Sequence, residues 1–272
     1  MPSEVPPMSS SSIQSQSAPV AVILAAGKGT RMGSDLPKVM HQALGRPLVE
    51  WVVNACVAAG CARIVLVVGH GAGIVQAHFA GRAEIEFVTQ QPQLGTGHAV
   101  DQARHLLAGQ PAGQDILVLC GDGPLIRAST ITALLSAHRS SGAAATLATS
   151  VIPDADGYGR IVRDDKGDFS RIAEHKDASA AERAIREINP SYYCFQSGDL
   201  WTSLARLDNA NSQREYYITD LFRLLPASGR RVHVVDAVPP EEVLSVNTPQ
   251  QLAEVESILR ARGASLVSGG AA

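Results

Sequence analysis

The chain is poor in cysteine, carries no surplus of positive charge and contains no long uninterrupted apolar run. Its four cysteines, Cys56, Cys61, Cys120 and Cys194, form no C-x-x-C pair. That argues against zinc or a disulfide framework and for buried free thiols in a reducing cytoplasm. The formal net charge is −3 and the isoelectric point about 6.2, so there is no electrostatic footprint for nucleic acid and any cationic site must be local. No stretch approaches the roughly 18 apolar residues of a membrane span. The opening MPSEVPPMSSSSIQSQSAP lacks the basic and apolar regions of a signal peptide. Residues 1–18, rich in Ser, Pro and Gln, are expected to be a disordered leader, and 265–272 a flexible tail.

What is present is a core. Of the 272 residues, 45% are hydrophobic, enough for one sizeable domain, which we place at 19–264. Strand-like apolar runs recur at 20–26, 62–69, 83–89, 115–121 and 143–151, with helical spacing around 47–59, 72–80 and 96–108. The alternation predicts an α/β fold with a mostly parallel central sheet covered on both faces. From about residue 157 the texture changes. GYGRIVRDDKGDFSRIAEHKD alternates apolar and polar residues around Asp165-Lys166-Gly167-Asp168, which reads as an inserted β-hairpin lobe. A short helix near 179–187, a strand near 188–195, a helix near 198–207, a strand at 231–238 and a final helix over 248–262 complete the pattern. Asn247 or Thr248 is the candidate N-cap of that last helix. No internal repeat is visible.

On open α/β sheets ligands bind beyond the carboxyl ends of the strands, and four unusual segments lie there: the loop after 26, QQPQLGTG after 89, GDGP after 120, and SVN at 245–247. The first, within LAAGKGTRMGSDLPK (24–38), follows an apolar run and holds three glycines and three cations. It is neither a P-loop nor a dinucleotide fingerprint, whose third glycine would fall on Met32. Gly27 and Gly29 can adopt positive φ and expose N–H groups to an anion, while Arg31 and Lys38 add charge and Pro37 stiffens the approach. A triphosphate suits such a loop better than a plain tight turn with solvated cations does. Asp122 closes an apolar strand, where it can ligate a hard cation or simply form a turn or cap.

The segments LAAGKGTRM with Pro37-Lys38, SDLPKVMH, QLGTGHA, GDGPLI, GYGRIVRD, EHKDAS, EIN, EYYITD and VN, in that order over roughly 20–255, resemble the sugar-nucleotide pyrophosphorylases. The nearer resemblance is to the uridylyltransferase domain of bacterial N-acetylglucosamine-1-phosphate uridyltransferases. It implies a Rossmann-like, GT-A-like nucleotide-diphospho-sugar transferase domain that joins UTP and a sugar 1-phosphate into a UDP-sugar and pyrophosphate, with Mg²⁺. By the same resemblance Arg31 and Lys38 are the catalytic cations. Leu24, Ala25, Ala26, Gly27, Gln90, Gly95 and Thr96 hold the nucleotide, and Cys120, Gly121, Gly159, Glu174 and Asn189 the sugar. Asp122 and Asn247 match the metal ligands. A phosphate monoester is already anionic near neutrality, its second pKa being about 6, so no general base is required. The work is to align two polyanions and neutralise charge.

The sequence departs from the family on the sugar side. Cys120 stands where a tyrosine is usual, Gly123 where a valine is, and Pro190-Ser191-Tyr192-Tyr193 follows Asn189. These changes bear on which sugar is used more than on the use of UTP. The alternative readings are another hexosamine or hexose 1-phosphate, dTTP in place of UTP, and a non-catalytic UDP-sugar sensor. No hexapeptide repeat of the β-helix acetyltransferase domain follows, so that second activity is not expected. No nucleic-acid or membrane partner is expected either.

Overall fold

A computed structural model describes residues 17–111 and 113–265. Apart from residues 17, 18 and 265, the expected leader and tail lie outside the described residues. The strands are β1 (Val20–Ala25), β2 (Gln42–Ala43), β3 (Arg46–Pro47), β4 (Arg63–Val68), β5 (Ile85–Thr89), β6 (Asp115–Cys120), β7 (Ala145–Val151), β8 (Gly159–Arg163), β9 (Phe169–Ala173), β10 (Glu187–Gln196) and β11 (Val232–Asp236). The helices are α1 (Leu48–Ala58), α2 (Ala72–His78), α3 (Thr96–Asp101), α4 (Arg104–Leu107), α5 (Ala128–Ser141), α6 (Ala180–Arg183), α7 (Ser197–Leu204), α8 (Leu221–Ala227) and α9 (Pro249–Ala261).

Nine strands form one sheet in the order β11-β7-β10-β6-β1-β4-β5, with β8 paired to β10 and β9 to β8. The half made of β6, β1, β4 and β5 is parallel throughout. β10 runs antiparallel between β6 and β7. Side chains of successive strand residues point to opposite faces, and here both faces are apolar. Ala21, Ile23, Ala25, Ile64, Leu66, Val68, Leu117 and Leu119 join one core layer. Val20, Val22, Val65, Val67, Ile116 and Val118 join the other. The uniformly apolar runs in the sequence are therefore the signature of a sheet covered on both sides. The expected hairpin forms, with Gly167 at φ +84° in its turn. It is continuous with the main sheet through Asn189 opposite Gly159.

Three features differ from the sequence reading. The single helix expected over 96–108 is two, α3 and α4, separated by a turn in which Gln102 N–H bonds Ala99 O and Ala103 N–H bonds Val100 O. Nothing in the local residues explains the break. Helices α5 and α8 were not expected. A third apolar cluster, of Met32, Ala43, Leu44, Leu48, Leu125, Val246, Val255 and Leu259, docks α9 against the opening loop. That docking brings the segment before α9 to the carboxyl end of β1.

Candidate active site

The loops after β1, β5 and β6 border a branched cleft at the carboxyl ends of the parallel strands. A main chamber of about 790 Å³ is lined by Leu24, Arg31, Lys38, Thr96, Cys120 and Glu174 among others. One arm of about 320 Å³ is lined by Ala26, Gly27, Gln90, Gly95 and Asp122. The other, of about 360 Å³, is lined by Asp122, Gly159, Glu174, Asn189 and Asn247. Cys120 borders all three. Of the residues singled out from sequence, Ala25 and Gly121 do not line the cleft. Ala25 faces the core, and Gly121 is buried against β1, with its N–H on Leu24 O at 2.9 Å.

The opening loop earns its glycines differently from the sequence expectation. Gly29 takes φ +71°, but a Cβ there would sit 2.6 Å from Lys38 Cβ. Its bareness lets the Lys38 backbone fold onto the loop. Gly27 is not among the positive-φ residues, and a Cβ on it would meet open space.

At the junction of the arms the Lys38 ammonium donates to Asp122 Oδ2 and to Asn247 Oδ1, the latter at 2.6 Å. Arg31 Nη2 donates to the same Asn247 oxygen at 2.8 Å. Two hard oxygens thus converge on one cationic nitrogen. The loops that carry them are tied directly, Val246 N–H to Asp122 O at 2.9 Å. The N-cap of α9 is Thr248, whose hydroxyl accepts from Gln251 N. The Asn247 side-chain carbonyl is therefore free of capping and faces the cations. Among the described residues the other cluster of potential ligands, Asp115, His138 and Cys194, is buried at the opposite end of β6. There Asp115 is already paired with Arg139 at 2.6 Å.

In the smaller arm Gln90 is buried, and its Nε2 donates to Gly95 O at 2.9 Å and lies 3.1 Å from His98 Nδ1. Among the described residues no donor reaches its Oε1. The nearby Gln93 is occupied, donating to Ala26 O across to the opening loop. Thr96 Oγ1 accepts from Ile218 N–H at 3.0 Å. In the other arm Glu174 Oε1 accepts from Thr219 Oγ1 at 2.6 Å. Burial pushes the Glu174 carboxyl above the usual range, against the pull of that hydrogen bond. Asn189 donates from Nδ2 to Tyr193 Oη at 2.7 Å and accepts from Ser191 N–H at 3.0 Å. The Cys120 thiol is pushed up to about 12, first by burial and then by the neighbouring Asp122 charge. All four cysteines are free, but Cys120 is not fully buried as its sequence context suggested.

Sequence reasoning missed Ser191, Tyr193, Lys176 and Gln213, which also border the main chamber. It also missed Glu242, which is wholly buried. Tyr193 and Ser191 lie in the stretch that departs from the family, which was the available signal. Glu242 carried none.

A covered α/β sheet whose strand ends gather two cations, a carboxylate and an amide oxygen around one point has the groups that nucleotidyl transfer needs. The chain belongs to the MobA-like NTP transferase domain family, matched over residues 21–223. It is 48% identical over 242 residues to the "Bifunctional protein GlmU" of Brevibacillus brevis and 49% identical over 242 residues to that of Pelotomaculum thermopropionicum. Each alignment covers 89% of this chain and 52% of the relative, so the chain spans about half the length of the curated relatives it matches. Its fold is similar to that of a UDP-glucose pyrophosphorylase crystallised with UDP-glucose, at TM-score 0.74 and 16% identity over 90% of this chain and 100% of that one.

Proposed function

We propose that the protein is a Mg²⁺-dependent uridylyltransferase that makes UDP-N-acetylglucosamine and pyrophosphate from UTP and N-acetylglucosamine 1-phosphate. The observation that carries this reading is the convergence of Lys38, Arg31, Asp122 and Asn247 where the two arms of the cleft meet. Asp122 and Asn247 offer a carboxylate and a neutral carbonyl, the hard oxygen donors Mg²⁺ takes alongside phosphate oxygens and water. Asp122 and Asn247 would hold the ion, which would supply charge neutralisation for the triphosphate. The 48% identical GlmU relative and the UDP-glucose-bound neighbour support a sugar-nucleotide substrate.

The chain's own groups supply the rest. The sugar phosphate is itself the nucleophile, so the site must orient it and stabilise charge as pyrophosphate leaves. Lys38 and Arg31 do this at the junction. Leu24, Ala26 and Gly27 lie along the nucleotide, and Gln90 Oε1 accepts from the N3–H of uracil, an edge that needs an acceptor at that place. Gly95 and Thr96 close the same arm. Glu174 accepts sugar hydroxyls, Asn189 has one amide hydrogen left for a sugar oxygen, and Gly159 and Cys120 border the space for the sugar. A compartment that holds UTP and keeps thiols reduced, the cytoplasm, suits this chemistry.

The test is pyrophosphate release from the purified protein with Mg²⁺ and UTP across a panel of sugar 1-phosphates, with Asp122→Ala as control. Release with N-acetylglucosamine 1-phosphate, lost in the variant, is the expected result. Release with a different sugar alone overturns the substrate. Tight UDP-sugar binding without turnover at saturating Mg²⁺ overturns the enzyme reading in favour of a sensor.

A further inference from the structure

We propose that Lys38 is an internal cation that keeps the divalent-metal site closed until a nucleoside triphosphate arrives, so that metal and nucleotide enter together. This rests on the reading of Asp122 and Asn247 as the metal ligands. The Lys38 ammonium donates to both of the oxygens that a metal would need. Asn247 Oδ1 accepts a second hydrogen bond from Arg31, which uses both lone pairs of that carbonyl. A divalent ion must therefore displace Lys38 to gain its ligands.

Charge makes that displacement unfavourable without nucleotide. Lys38, Arg31 and Asp122 together leave one net positive charge at the junction, and a divalent ion alone would raise it to three. The Lys38 and Asp122 side chains are only 15% and 19% exposed, so solvent screens this repulsion incompletely. A triphosphate reverses the balance. It is a polyanion that lies in the same cleft, and it offers Lys38 and Arg31 new acceptors at the moment it supplies oxygens to the metal.

The backbone limits how the exchange occurs. Gly29 is packed so closely on Lys38 that a Cβ would lie 2.6 Å from Lys38 Cβ and 3.0 Å from its Cα. The Lys38 backbone has no room to shift towards Gly29. Rotation of its four-carbon side chain lets the ammonium leave while the backbone stays against Gly29.

Manganese binding, followed by the loss of the electron paramagnetic resonance signal of free Mn²⁺, tests this without turnover. Titrations without nucleotide compare wild type, Lys38→Met, Lys38→Gln and Lys38→Met combined with Asp122→Ala, with circular dichroism to verify folding. A second set adds a UTP analogue with a methylene α,β-bridge to wild type and to Asp122→Ala. The expected result is Mn²⁺ binding about ten- to a hundredfold tighter in Lys38→Met and Lys38→Gln than in wild type, as loss of a charge-assisted competitor predicts. The gain should vanish in the double variant, and wild type should bind through Asp122 only with the analogue. Asp122-dependent Mn²⁺ binding in wild type without nucleotide, as tight as in the Lys38 variants, overturns the proposal. Mn²⁺ binding that never depends on Asp122, even with the analogue, overturns the metal-ligand reading beneath it and is a distinguishable result.

Discussion

Glu242 gives the most demanding test of how the fold holds the site. It lies wholly buried in the 3-10 turn Pro240–Glu242. Its carboxylate accepts from Arg127 N–H at 3.1 Å and Thr130 Oγ1 at 2.7 Å, and Arg127 Nε lies 3.2 Å from the other oxygen. Its backbone carbonyl accepts from Tyr192 Oη at 3.0 Å. The side chain thus clamps the start of α5, just beyond the Asp122 loop, to the segment that leads into Asn247. Glu242→Ala removes two hydrogen bonds to a charged acceptor, each worth about 1.5–3 kcal/mol. It also relieves the desolvation of the carboxylate, which offsets part of the loss. Arg127, 42% exposed, simply rehydrates, so the ion pair itself contributes little. The net cost is about 3 kcal/mol, and at about 2–4 °C per kcal/mol for a domain of this size melting should fall by about 6–12 °C. Glu242→Gln keeps an acceptor and the shape, and should cost about half as much. Thermal unfolding measures both, and a Mg²⁺ activation curve reads the site. The half-saturating Mg²⁺ concentration should rise severalfold in Glu242→Ala as the loops that carry Asp122 and Asn247 loosen. A melting point within about 2 °C of wild type would refute the clamp. A large destabilisation with unchanged Mg²⁺ dependence would refute its link to the metal side.

Burial raises the Glu174 carboxyl, so the folded chain holds that proton more tightly than the unfolded one. Stability from this group therefore falls as pH rises from about 4.3 through the folded-state value and is flat above it. Glu174→Gln should remove that slope, melt no lower than wild type at pH 7, and still raise the KM for sugar phosphate by about tenfold or more; melting curves against pH and steady-state kinetics measure both. Gly95→Ala places a Cβ 2.7 Å from both Tyr216 N and O at a φ of +111°, so it should cost about 1–3 kcal/mol by denaturant unfolding and weaken UTP binding in calorimetry. His98→Ala deletes the imidazole beside Gln90 Nε2, which should lower the kinetic preference for UTP over CTP severalfold while the protein stays folded.

The strands were legible because burial on both faces writes itself into every residue of a run, as Val20–Ala25 and Asp115–Cys120 show. The hairpin was legible because its turn needs the glycine at Gly167. The direction of β10 was not, since the apolar pattern of a central strand is the same for either orientation and only register with β6 and β7 decides it. Helix α5 was overlooked although its buried residues Ile131, Leu134, Leu135 and His138 keep helical spacing; its Ser and Thr content hid the stripe. At the site, loop chemistry pointed to the cations and the resemblance supplied their partners. What no local pattern could show is pairing at long range. Thr219 meets Glu174 from 45 residues away, and Glu242 meets Thr130 from 112.

Those long-range pairs make one connected device of the two arms. Tyr216 N–H bonds Leu94 O at 2.8 Å, Gly97 N–H bonds Tyr216 O at 2.7 Å, and Ile218 N–H bonds Thr96 Oγ1. Residues 216–218 are thereby fastened along the loop that borders the Gln90 arm. The next residue, Thr219, holds Glu174 in the opposite arm. A ligand that orders the 90–97 loop also fixes the donor that orients Glu174, because the two are joined by consecutive residues with little slack between them. The proposed closure of the metal site by Lys38 acts in the same direction from the other side of the cleft, since Arg31 and Lys38 both hold Asn247 and a triphosphate would draw them off. Both connections predict nucleotide binding before sugar phosphate. The first works through backbone hydrogen bonds and the second through charge, so raised salt should weaken the second and leave the first intact.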